Sequence, residues 1–204
     1  MILLACAVER ELAGIGPHPE VVSLVTGVGP VEASISVTRA LAAGKYDLVV
    51  GAGIAGALGG AAVIGDGVVV GEDAFELGLE DGRPLALPDG ARAIDRARSD
   101  PALVAALRSR GVAVLRGITV ARVTASEATA QRLAAAGAQV ETMEGFAVLR
   151  AAERAGVAAI GVRGISNRAG ARERSGWDFE AGVSGLRRVL QTIFEVAGTS
   201  RAAR

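Results

Sequence analysis

From Leu48 to Gly65 the chain runs eighteen residues without a charge, and six of them are glycines. That length is near the lower limit of about 17–20 residues for a membrane-spanning helix. Each glycine costs a helix roughly 1 kcal/mol relative to alanine, and Asp47 and Asp66 bracket the run. A strand at Leu48–Val50 entering a glycine-rich turn fits better and predicts a soluble chain. Gly51-Ala52-Gly53-Ile54-Ala55-Gly56 also satisfies G-x-G-x-x-G, with Glu72 and Asp73 roughly twenty residues on. A dinucleotide site needs a helix after that turn to receive the pyrophosphate, and Gly59, Gly60, Gly65 and Gly67 interrupt it. The remaining readings are a tight turn against a neighbouring segment and a loop that lines a nucleoside.

Around this run, apolar segments alternate with helical ones. Met1–Ala7, Val21–Thr26, Val68–Val70, Ile118–Val123 and Val157–Ile165 read as strands. Pro30 opens a helix that Gly44 closes, with Val31, Ile35 and Ala42 on one side. Pro101–Arg110 reads as a helix, and so does the segment carrying Val148, Ala151, Ala152 and Ala155 up to Gly156. Leu186, Val189, Leu190, Ile193 and Ala197 form the inner stripe of a closing helix, and Arg83–Asp89 reads as a surface loop. The pattern predicts one α/β domain over 1–198, three layers deep (α/β/α) around a central, largely parallel or mixed sheet, with a frayed tail at 199–204. In such sheets the site gathers at the strand ends.

Lys+Arg and Asp+Glu balance at 22 each, so no net field draws the chain to nucleic acid or an anionic membrane. A single cysteine and a single histidine cannot make a disulfide or a zinc site, and Cys6 reads as a small core residue. Met1–Val8 lacks the basic and long apolar regions of a signal peptide, so a reducing cytoplasm is expected.

Three polar groups follow predicted strands. Glu11 follows the first strand, where it could activate water or simply be a solvated helix charge. In Glu141-Thr142-Met143-Glu144-Gly145, Glu144 starts a helix and could accept hydrogen bonds from vicinal ribose hydroxyls; as a first-turn acid it would also complement the helix dipole. Asn167 ends Arg163-Gly164-Ile165-Ser166-Asn167, and its amide could serve N7 and O6 of a 6-oxopurine or cap a turn. Cleaving an N-riboside passes through a ribosyl cation, which needs an activated water, a grip on the sugar hydroxyls and help for the departing base. The segment from Glu141 to Trp177 is suited to hold ribose and base.

These motifs, with Ala7-Val8-Glu9-Arg10-Glu11, Gly27-Val28-Gly29 and Gly53-Ile54-Ala55-Gly56, resemble the nucleoside phosphorylase and hydrolase superfamily. The match falls in the branch that contains methylthioadenosine/S-adenosylhomocysteine nucleosidase. The resemblance implies that Glu11 activates water, that Met143 and Glu144 hold the ribose, and that Asn167 contacts the base. It places Thr142, Gly53, Ile54, and backbone near Ala125 and Ser126, against substrate. It also implies a homo-oligomer without metal or organic cofactor. Adenosine-type relatives carry Asp where this chain has Asn167, which moves the expected base to hypoxanthine or guanine. Phosphorylases hold phosphate with an Arg and a hydroxyl where this chain has Gly51 and Ile54, which favours water as nucleophile. The run Ile165-Ser166-Asn167 with Arg172, Arg174 and Trp177 looks like the futalosine hydrolase family. That likeness implies release of hypoxanthine from futalosine, a nucleoside carrying a benzoate-like acid, in a menaquinone route. Arg172, Arg174 and Trp177 would supply the acid's cation and aromatic wall, in cis or across a subunit interface, or be a structural loop. The alternatives are a methylthioadenosine/S-adenosylhomocysteine nucleosidase, a 6-oxopurine phosphorylase and, from another class, a non-catalytic nucleoside sensor.

Overall fold

The computed structural model describes residues 1–78, 83, 85, 87–91, 93–170 and 176–202. The strands are β1 (Ile2–Cys6), β2 (Val21–Val25), β3 (Leu48–Ala57), β4 (Gly67–Phe75), β5 (Arg96–Arg98), β6 (Ala113–Thr119), β7 (Val140–Thr142) and β8 (Ala158–Arg168). The helices are α1 (Pro30–Ala43), α2 (Pro101–Ser109), α3 (Glu127–Ala135), α4 (Gly145–Ala155) and α5 (Phe179–Ala202). A 3-10 turn, Glu9–Leu12, follows β1.

The sheet is mixed, and part of it closes on itself. β3 pairs parallel with β8, β8 antiparallel with β4, β4 parallel with β6, β6 parallel with β7, and β7 antiparallel with β3. The ring strands supply one buried cluster of small and branched residues, Ala55, Ala57, Val68, Val70, Val140 and Ile165. β1 and β2 extend the sheet beyond β3, both in parallel register, and β5 adds an antiparallel edge to β4.

Alternation along the strands supplies a layer to each face. Ile2, Leu4, Val50, Ile160 and Val162 pack under Leu186, Leu190 and Ile193 of α5 and Leu107 of α2. Leu3, Ala5, Val49 and Ala159 meet Ala33 and Val37 of α1 and Val148, Leu149 and Ala152 of α4. The first three helix starts have a local cause: Asp100 accepts from the amides of Ala102 and Leu103, Ser126 accepts from Thr129, and Pro30 and Pro101 sit at first-turn positions. Gly156 ends α4 in the left-handed region at φ 68°.

Several expectations are corrected. β3 does not give way to a turn after Val50; the whole glycine segment to Ala57 is strand, flanked by β1 and β8. No helix follows it, because Gly59 and Gly60, both at positive φ, turn the chain toward β4. The dinucleotide reading falls with that helix. In α1 the buried residues are Ala33 and Val37, whereas Val31, Ile35 and Ala42 are exposed. The small residues face inward because α1 lies close against α4. β6 begins at Ala113 and ends at Thr119, earlier than the expected Ile118–Val123 strand. The expected tail at 199–204 begins within α5, whose last side chains, together with residues 203–204, lie outside the described residues. The expected 83–89 loop lies partly outside them too. Among the described residues, no helix is long and apolar enough to cross a membrane.

Close backbone contact adds to the side-chain packing in seating α5 on the sheet. A Cβ at Gly164 would lie 1.8 Å from the carbonyl oxygen of Gly182, and one at Gly67 would lie 2.2 Å from that of Gly185. Neither neighbour can yield, since both are helix backbone. Gly164→Ala should therefore destabilise the protein by at least about 2–3 kcal/mol, the upper range for overpacking. Urea denaturation reads this as a lower midpoint; an unchanged midpoint would contradict the packing described.

Candidate active site

The ends of β1, β3, β7 and β8 converge with the segment after β6 on a cavity of about 510 Å³. Glu11, Ile54, Thr142, Met143, Glu144, Asn167 and Trp177 all line it. Residues from opposite ends of the chain meet because β1 and β8 both pair with β3. The lining holds three carboxylates, those of Glu11, Glu141 and Glu144, and among its described residues no lysine, arginine or histidine.

Glu11 is 4% exposed and held by backbone amides. Its Oε2 accepts from Ala7 at 2.9 Å and Val8 at 3.1 Å, and its Oε1 accepts from Ile54 at 3.0 Å. A Cβ at Gly53 would stand 2.9 Å from Oε1. That glycine, with ordinary strand dihedrals, leaves the space the carboxylate fills. Next to it, Arg10 lies 4.4 Å over the ring of Phe179, a further lining residue, and pairs with Glu180 at 2.7 Å.

Glu144 occupies the N-cap position of α4 but does not cap it with its side chain. Its Oε1 accepts instead from the Gly29 amide at 2.8 Å. Gly29 sits at φ 97°, in the region that favours glycine, and this bend aims its N–H at the carboxylate. Burial pushes the Glu144 carboxyl above its usual range; the Gly29 amide and the Arg163 guanidinium oppose that, and the Glu11 charge adds to it.

Behind Glu144 lies Asp73, fully buried on β4. It accepts from Thr119 Oγ1 at 2.7 Å and Thr142 Oγ1 at 3.5 Å. Burial pushes its carboxyl up to about 6, against the pull of the Thr119 hydroxyl and the Arg163 charge. Arg163, 2% exposed, donates through Nη1 to the carbonyls of Gly51 and Val162 at 2.6 and 2.7 Å. Its Nε has no hydrogen-bond partner. Thr142 lines the cavity, yet its hydroxyl is engaged with Asp73 and the helix start.

At the Asn167 end of the cavity, the β3–β8 register shifts between Ala55 and Gly56, so that Gly56 faces Asn167. The bulge leaves Ser166 unmatched and turns Asn167 to the cavity rim. Ser166 Oγ donates to Asn167 Oδ1 at 2.9 Å, and Asn167 Nδ2 donates to the Arg168 carbonyl at 3.1 Å. Val123 and Thr124 line the wall; Ala125 and Ser126 are exposed outside it, with Ser126 capping α3. Glu141 accepts from the Thr124 amide at 3.0 Å and from its hydroxyl, which fixes this wall. Trp177 is 60% exposed at the mouth. Arg172 and Arg174 lie outside the described residues.

Glu141, Thr124 and Phe179 had no expected role of their own, and Asp73 entered only as a candidate acid of the discarded dinucleotide fingerprint. Glu141 adjoins the Thr142-Met143-Glu144 motif, a signal that could have singled it out. Nothing local to Asp73 marks its observed role, since its partners come from β6 and β7.

A bed of backbone amides for buried carboxylates, with a carboxamide at the far end, makes a pocket suited to a neutral or cationic ligand. Residues 14–198 match the model of the phosphorylase superfamily, and the chain belongs to that superfamily. The futalosine hydrolase of Thermus thermophilus is 33% identical over 201 residues, covering 94% of this chain and 87% of that protein. The futalosine hydrolase of Acidothermus cellulolyticus is 36% identical over 219 residues, covering 96% and 86%. Within the superfamily, the chain is a member of the futalosine hydrolase family. The native structure of futalosine hydrolase from Helicobacter pylori shares the fold at a TM-score of 0.80 and 16% identity, covering 95% of this chain and 97% of that one.

A carboxyl whose native pKa exceeds its unfolded one stabilises the fold while protonated, and that share is lost as pH rises through the native value. For Asp73, moved from 3.8 to about 6, the share is about 3 kcal/mol, fully present below about pH 4 and gone above about pH 6. Urea stability of the wild type should therefore fall relative to Asp73→Asn between pH 4 and 6.5. A constant difference across that range would contradict a buried, titrating Asp73.

Proposed function

We propose that the chain hydrolyses the N-glycosidic bond of futalosine, releasing hypoxanthine and dehypoxanthine futalosine within menaquinone biosynthesis. The observation that supports this best is the charge of the cavity: three carboxylates and, among its described lining residues, no cation. Such a lining favours a developing ribosyl cation and disfavours an anionic nucleophile such as phosphate. Water is then the nucleophile. Its oxygen bonds to C1′ as the C1′–N9 bond breaks, Glu11 takes its proton, and the bonding pair leaves with the base.

Glu144 accepts hydrogen bonds from the ribose hydroxyls, with Met143 as an apolar wall. Asn167 offers its amide to N7 and O6 of the leaving hypoxanthine; unlike Asp it has no proton to give, which suits a base whose charge spreads onto O6. Trp177 and Phe179 form an aromatic wall for the benzoate-like group, and Arg172 and Arg174 receive its carboxylate. Residues 1–198 act as one folding unit in a cytoplasmic enzyme. Val25, Val28, Val31 and Ile35, close together in sequence, are all exposed, and Val28 lines the cavity; this concentration of exposed apolar residues supports a homo-oligomer.

The test is to incubate the enzyme with futalosine, inosine and methylthioadenosine, with and without phosphate, and to identify the free base by chromatography. Hypoxanthine from futalosine, independent of phosphate and faster than from inosine, is expected, and an Arg172→Ala, Arg174→Ala double variant should lose that preference. Adenine release from methylthioadenosine as the main activity, strict phosphate dependence, or binding without any base release would each overturn the assignment.

A further inference from the structure

Glu144 presents a geometric puzzle. The residue at a helix N-cap ordinarily spends its side chain, when polar, on the first free amides of its own helix. In α4 the first two of those amides are satisfied by others. The Gly145 amide donates to Thr142 Oγ1 at 3.2 Å, and the Phe146 amide donates to Thr119 Oγ1 at 2.8 Å. The two hydroxyls lie 3.1 Å apart and come from neighbouring strands, β6 and β7.

A hydroxyl can receive an amide proton in a defined direction only if its own proton is directed elsewhere. Asp73 supplies the acceptor. It takes the Thr119 proton at 2.7 Å and lies 3.5 Å from Thr142 Oγ1, on the side away from the cavity. An ionised carboxylate accepts only, so it fixes both hydroxyls with their lone pairs toward the helix. Its negative charge also suits a helix N-terminus. The sequence has made room for it, because a Cβ at Gly145 would stand 2.1 Å from Asp73 Oδ2 and one at Gly117 would stand 2.6 Å from it. Gly145 therefore follows Glu144 for a reason that lies outside the cavity. The charged groups that act on Asp73 are Arg163 and Glu144, and those that act on Glu144 are Arg163 and Glu11.

We propose that Asp73 is a positioning residue: through Thr119 and Thr142 it caps α4 in place of Glu144, and so keeps the Glu144 carboxylate turned to Gly29 and the cavity. The kinetic consequence rests on Glu144 holding the ribose; the structural one does not. Without Asp73 the hydroxyls reorient, the first turn of α4 loses its caps, and Glu144 is drawn back toward its own helix.

Two readouts on the full-length protein test this. In amide NMR spectra, the Gly29 proton of Asp73→Asn should move toward its position in Glu144→Gln, and a Gly29 resonance unchanged from wild type would overturn the proposal. In turnover of futalosine, Asp73→Asn should lower kcat on the order of 100-fold, the scale for a misplaced group, with KM little changed. In a Glu144→Gln background the same substitution should change kcat by no more than about twofold. An equal loss in both backgrounds would mean that Asp73 only supports the fold, and would overturn the proposal. Should Asp73→Asn fail to fold, Thr142→Val takes its place with the same expectations, and Thr142→Ser should restore the wild-type values. If wild type does not turn over futalosine, the proposed reaction fails and the Gly29 resonance alone decides the positioning role.

Discussion

The space at position 53 ties the fold to its chemistry. A side chain there would fill the volume that the Glu11 carboxylate occupies. Glu11 reaches it because β1 runs parallel to the first half of β3 and its pairing ends at Gly51, two residues before position 53. The same strand leaves room for Val148 at Gly51 and for Asn167 at Gly56. β3 thus serves as a bare backbone rail, against which groups from the first and last thirds of the chain are set. Its glycines weaken the strand, and pairing with β1, β8 and β7 offsets that.

The second constraint is charge. Several acids are buried in or beside one cavity, and an uncompensated buried carboxylate is costly. Backbone amides hold Glu11 and Glu144, Thr124 holds Glu141, and two threonines hold Asp73. Arg163 is the buried cation that lowers the cost for both Asp73 and Glu144, yet it spends its hydrogen bonds on carbonyls rather than neutralising either. The cavity is left electronegative, as a site for a sugar cation needs. Cys6 meets the same cost by staying neutral: burial and then the Glu11 and Glu9 charges push its thiol up to about 12, so it is an inert core residue.

Much of the cavity was legible because its groups follow strands. Glu11 and Asn167 each sit just after an apolar run, Met143 and Glu144 sit where a short strand meets a helix, and the mixed sheet gathers such strand ends. The α/β alternation was legible for the same reason. Other features depend on partners distant in sequence. The glycine run looks like a turn until β1 and β8 flank it. Val31 and Ile35 show helical spacing as well as Ala33 and Val37 do, and only the close approach of α4 decides which pair is buried. The wall at Val123–Thr124, rather than Ala125–Ser126, follows from Glu141 reaching Thr124. Asp73 reads as an ordinary acid near a loop until β6 and β7 bring their threonines to it.

The central claim is that an acidic, amide-held cavity delivers water, and no other nucleophile, to C1′. The most direct measurement is single turnover of futalosine in ¹⁸O-labelled water with phosphate present, followed by mass spectrometry of the sugar product. The account predicts one ¹⁸O at the anomeric carbon and no phosphorylated sugar. A sugar 1-phosphate, or an anomeric oxygen without label, would contradict it.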